Sequence, residues 1–108
     1  MSWPAGEGEA GGDRVSFEEM KIVWARWDSA SEVVLGKSGD FEQISQLKLP
    51  HGATLAQTKW LSPRVAVAYA NASFASGKTS VTYLVVFEKK WFRWQLRSYY
   101  TAIVACQG

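Results

Sequence analysis

Residues 81–104 read VTYLVVFEKKWFRWQLRSYYTAIV, and the pattern inside them decides the fold. From Trp91 to Val104 apolar and polar residues alternate, which marks a half-buried strand. Phe92, Trp94, Leu96, Tyr100, Ala102 and Val104 fall on one side, with Ser98 as its only polar member. Trp91, Arg93, Gln95, Arg97, Tyr99 and Thr101 fall on the other. The preceding run, Val81–Glu88, is apolar on both sides, as an inner strand covered on two faces is. A two-residue loop at Lys89-Lys90 sets Phe87 opposite Phe92, Val85 opposite Trp94 and Tyr83 opposite Leu96. Lys-Lys is poor chemistry for a type I′ turn, and a four-residue loop over Glu88–Trp91 keeps the same facing. An earlier loop at Gly77-Lys78 sets Phe74 opposite Val81, Ala72 opposite Tyr83, Ala70 opposite Val85 and Ala68 opposite Phe87. Large residues meet small ones across that pair, which fills a layer without voids. Both hairpins turn the same set inward, and a slip of one residue would turn the whole set out.

Working outward, His51–Leu61 reads as a first strand that enters a turn at Ser62-Pro63. A two-residue turn there sends Gln57 and Lys59 toward the core, and a longer loop sends Trp60 instead. Upstream, Ser16-Phe17-Glu18-Glu19 is a capping box with Val15 and Met20 placed as its hydrophobic staple. Such a cap contributes roughly 1 kcal/mol. Phe17, Met20, Trp24, Trp27, Ser31 and Val34 follow at three- and four-residue spacing, so a helix is expected from 17 to about 35, ending at Gly36. Ser29-Ala30-Ser31 is its soft spot. A short helix follows, with Asp40 as cap, Gln43 in the reciprocal position, Phe41, Ile44 and Leu47 on one face, and Pro50 as the stop. Residues 1–14 hold five Gly or Pro and three acids and read as a flexible tail. The expected architecture is α+β: a long N-terminal helix and a short helix packed on a curved four-stranded antiparallel meander, forming one domain over 15–108.

The 108-residue length fits a single domain. Apolar residues make up 47% and charged residues 20%, ordinary for a folded domain. Six tryptophans are many for this length, and the indole N–H needs a partner, so several are expected to line a cavity or an interface. A net charge of +2 is too small to argue for nucleic acid. The single cysteine, Cys106, excludes an internal disulfide. No segment has the ~18 apolar residues of a membrane span. No basic region followed by an apolar stretch opens the chain, so a cytoplasmic location is expected.

The capped Trp-bearing helix, the Ser-Gly-Asp-Phe segment at 38–41 and the strand Lys-Trp-Phe-Arg-Trp-Gln-Leu at 90–96 resemble the nuclear transport factor 2-like superfamily, also called ketosteroid isomerase-like or cystatin-like. The resemblance spans about residues 15–105. It implies a curved sheet wrapped on the long helix as a cone, a ligand in the open end and a dimer through the outer sheet face. Its members include isomerases, dehydratases, epoxide hydrolases and non-enzymatic domains, so it implies fold far more than function.

Candidate chemistry follows from these placements. Trp24, Trp27, Tyr83 and Trp94 are expected to line an aromatic cavity that takes a small apolar or amphipathic molecule. Asp28 beside those rings, or His51 at the lip, is the candidate acid or base of an isomerase, dehydratase or hydrolase; the bland reading leaves each in water. No second His or Cys stands at ligand spacing, so neither a metal nor a cofactor is expected. Gly77-Lys78-Thr79-Ser80 lacks the upstream Gly of a phosphate-binding loop, and it joins strand to strand. On the outer face Tyr69, Leu84, Val86, Trp91, Arg93, Arg97 and Tyr99 compete as a solvated surface, a homodimer interface or a base-stacking platform, and the low charge counts against the last. The leading expectation is a non-catalytic ligand-binding or assembly module that dimerises through its sheet, with the small enzyme as the alternative.

Overall fold

The computed structural model describes residues 12–106. Strand β1 (Asp13–Arg14) leads into helix α1 (Phe17–Ala25), a 3-10 turn at Trp27–Ser29, helix α2 (Asp40–Ser45) and a second 3-10 turn at Pro50–Gly52. Strands β2 (Thr54–Ser62), β3 (Val65–Phe74), β4 (Thr79–Lys90) and β5 (Arg93–Cys106) complete the chain. They form one five-stranded mixed sheet of order β1-β5-β4-β3-β2, in which β1 runs parallel to β5 and the remaining pairs are antiparallel.

This corrects the expected fold class. The structure is not a long N-terminal helix on a four-stranded antiparallel meander, because helical segments cover both faces of a mixed sheet. Met20 from α1 packs with Val67, Leu84 and Val86 on one face, flanked by Trp24, Trp27, Tyr69 and Tyr100. Ile44 from α2 and Leu49 pack with Trp60, Phe87, Trp94 and the alanines of β3 on the other. Leu84 and Val86, expected at a subunit interface, are therefore buried within the chain under α1.

The long helix stops early for a local reason. The capping box forms as expected: Ser16 Oγ accepts from the Glu19 N–H at 3.4 Å, and the Glu19 carboxylate accepts from the Ser16 N–H at 3.0 Å. Past Ala25, however, Ser and Asp offer the backbone competing bonds. Ser29 Oγ donates to the Arg26 carbonyl at 3.1 Å, and Ser31 Oγ donates to the Val33 carbonyl at 2.8 Å. Ser31 then exchanges two backbone bonds with Trp60, at 2.8 and 2.7 Å, and this bridge holds the chain extended where the helix was expected to continue.

The β3–β4 faces and the inward Trp94 and Leu96 are as read, but both turns lie elsewhere and the far half of β5 changes face. Between β3 and β4 the turn is Ala75–Lys78, so Ala72 opposes Val81 and Ala70 opposes Tyr83. Between β4 and β5 the apex is Trp91-Phe92, with Lys90 opposite Arg93, Lys89 opposite Trp94 and Phe87 opposite Leu96. Phe92, expected inside, is thus exposed. Two bulges then interrupt the alternation of β5. Arg97 is the extra residue at the first, so Tyr99 faces the α2 side opposite Val85, and Tyr100 faces the α1 side opposite Leu84. In β2, Trp60 opposes Ala66 and enters the α2-side core.

Asp13 and Arg14, expected in the tail, pair with Ser98 and Tyr99, and the Val15 N–H donates to the Tyr99 carbonyl at 2.9 Å. Gly12 makes this possible: its φ is +89°, and a Cβ there would stand 2.7 Å from the Leu96 carbonyl oxygen. The rest of the expected tail, residues 1–11, lies outside the described residues.

Candidate functional site

The four residues expected to line one cavity are divided by the sheet. Trp24 and Trp27 lie on the α1 side, where Trp24 meets Tyr100 and Trp27 meets Tyr69 edge-on at 4.7 Å. Tyr83 and Trp94 lie on the α2 side, where Trp94 packs on Trp60 at 5.6 Å and Tyr83 on Tyr99 at 5.9 Å. The reason is the two-sided packing of β4, which sends Tyr83 and Leu84 to opposite layers.

The two candidate acid-base groups are also separated. Asp28 is exposed on the 3-10 turn after α1; after burial, its charge is the second influence raising the Tyr69 pKa. His51 is exposed at the other turn, with φ +53°, and its ring stacks on Tyr83 at 6.1 Å and meets Phe74 edge-on at 5.2 Å. Burial, then the neighbouring Tyr99, raise the Tyr83 pKa against the opposing pull of Arg14. Among the described residues no three His, Cys, Asp or Glu side chains gather as a metal site, and no helix is long and apolar enough to cross a membrane.

A buried ion pair was missed by the sequence reading. Asp40 does not cap α2 with its side chain. Its Oδ2 accepts from the Lys37 N–H at 2.8 Å, and its Oδ1 accepts from Lys89 Nζ at 3.2 Å. Only 1% of Asp40 is exposed. Burial pushes its carboxyl pKa up, but the Trp94 indole, Lys89 and the Lys37 N–H outweigh that and hold it below the ordinary value. The buried indole N–H forms no well-aligned hydrogen bond. The signal was available: Lys89 follows Val85 and Phe87 at inward positions, and an inward lysine demands an acid.

Just beyond that pair is the β4–β5 apex. Trp91 and Phe92 are 85% and 83% exposed. Trp91 has φ +60°, the left-handed region that glycine or asparagine usually fills and that disfavours a bulky side chain. Lys90 and Arg93 face each other directly behind the apex, and Arg64 reaches the same end by donating from Nη2 to the Lys89 carbonyl at 2.9 Å. A hollow of about 580 Å³ beside the apex is lined by Lys90, Trp91, Phe92, Arg93 and Gln95. A separate groove of about 400 Å³ runs between α1 and the sheet along Val15, Val23, Val86 and Arg97. The apex thus gathers Trp91 and Arg93 from the expected outer-face set, while Tyr69, Leu84, Val86 and Tyr99 pack into the two core layers. Arg97, at the bulge, reaches Glu88 at 3.7 Å.

No family model, curated protein or solved structure matches the chain. The resemblance to the nuclear transport factor 2-like superfamily therefore stays a reading of the sequence pattern.

Proposed function

We propose that the protein is a non-catalytic binding module whose contact element is the β4–β5 apex. One observation carries the reading: two adjacent large aromatics are exposed on a two-residue turn whose first position is conformationally unfavourable for tryptophan. Exposed aromatics with arginine beside them are the composition of binding surfaces. The two-residue turn needs a positive φ at its first position but not a tryptophan there, so the choice of tryptophan points to a use outside the fold. The enzyme alternative has less support, because Asp28 and His51 are exposed on opposite sides of the sheet. A homodimer joined through Leu84 and Val86 would require α1 to leave the sheet.

Trp91→Gly tests it. Glycine relieves the left-handed backbone, so thermal and urea unfolding should show stability unchanged or raised by about 1 kcal/mol. The same variant, immobilised beside the native chain, should fail to retain material that the native chain retains from cell extract. A stability loss above about 1 kcal/mol would make the tryptophan part of the fold, and equal retention by both would remove the apex as the contact.

A further inference from the structure

Resting on the reading of the apex as the contact element, we infer that its partner is an anionic lipid surface. The argument is the layering of side chains along the hairpin. Trp91 and Phe92 are outermost and almost fully exposed. One residue pair behind them stand Lys90 and Arg93, with Arg64 held at the same end. The next pair back is Lys89 opposite Trp94, with Lys89 bound to the buried Asp40, and one pair further Glu88 opposite Gln95 brings in the first acid outside the core. An anionic bilayer has the matching order: an apolar boundary that takes Trp and Phe rings, a phosphate layer above it, then water. A protein partner would have to supply a concave pocket and an acidic ring at matched depth; a lipid surface meets the same two layers with an apolar boundary and a phosphate layer and needs no preformed pocket.

Charge supports the same partner. This end carries Arg64, Lys90, Arg93 and Arg97 against Glu88, which pairs with Lys90 at 3.9 Å and Arg97 at 3.7 Å, and Asp13 further from the apex, while Lys89 is neutralised by Asp40. That leaves a local surplus of two. The aromatics thus project from a positively charged end, and the hollow between Lys90, Arg93 and Gln95 has the donors to hold a headgroup phosphate. Two aromatic rings with a few cations form a reversible anchor and not a permanent one.

The test is co-sedimentation of the full chain with phosphatidylcholine vesicles, with and without phosphatidylserine. The native chain should pellet with the phosphatidylserine vesicles, weakly with phosphatidylcholine alone, and less as salt rises. Trp91→Ser/Phe92→Ser should weaken binding by on the order of tenfold or more. Lys90→Gln/Arg93→Gln should weaken it by roughly fivefold per cation. Circular dichroism checks that both variants keep the native fold, and a single-site Phe92→Ser variant serves if the double one does not. Absence of pelleting with phosphatidylserine vesicles, or equal pelleting by the variants, overturns the lipid assignment. If vesicles fail while the apex still retains an acidic protein from extract, the lipid assignment falls and the binding-module reading stands. If neither is retained, both fall.

Discussion

At Asp40 a carboxylate almost sealed from water stays charged because Lys37, Lys89 and Trp94, from three parts of the chain, converge on it. Breaking such a buried pair from one side leaves the other charge stranded, so Asp40→Asn should cost about 3 kcal/mol at neutral pH, read as a shift in the urea midpoint. The pH dependence has a definite sign. Because the folded pKa is depressed, the contribution is complete above the unfolded value of about 4 and is lost as pH falls through the lower folded value. The gap between native chain and Asp40→Asn should therefore hold from neutral pH to about pH 4 and narrow only below it. Gly36 guards the same spot. A Cβ there would run into the Asp40 carboxylate and stand 2.9 Å from the Pro63 carbonyl oxygen, so Gly36→Ala should destabilise by about 1–3 kcal/mol in the same titration. At this scale the sequence was only half legible. It marked Asp40 as notable, but for the wrong partner, because a cap is a local motif and Lys89 lies 49 residues away.

Helix α1 meets the sheet through one fully buried side chain, Met20, which packs with Leu84 and Val86. Met20→Ala and Leu84→Ala should each cost about 2–5 kcal/mol, measured by denaturant unfolding, and the pair should be non-additive because the residues share one cluster. The helix cap, the strands and the inward set Trp94 and Leu96 were readable because alternation and capping are written in neighbouring residues. What escaped were the bulges and the second covered face. Ser98, the only polar residue on its side of the alternation, was the visible trace of the bulge at Arg97. Val81–Glu88, apolar on both sides, stated that two layers pack on β4, yet only one helical layer was expected. The turn at Trp91-Phe92 was misplaced because two large aromatics are unusual turn residues, so Lys89-Lys90 attracted the loop instead.

Across the whole molecule, the covering of both sheet faces changes how association should be tested. A dimer joined through Leu84 and Val86 would unfold at a midpoint that rises with protein concentration. Because those residues are buried under α1 within the chain, that face should contribute no concentration dependence to the urea midpoint over about a hundredfold range. The apex bears on orientation as well. The clasp of Asp40 on Lys89 stands one residue pair behind Lys90 and Arg93 and ties the root of the hairpin to α2. The root of the prong is thereby tied to the body, so whatever grips the rings also bears on the tilt of what lies behind them. Docked through the apex as proposed, the sheet would stand end-on to its partner, with Pro63-Arg64 toward it and the Ala75–Lys78 turn at the far pole.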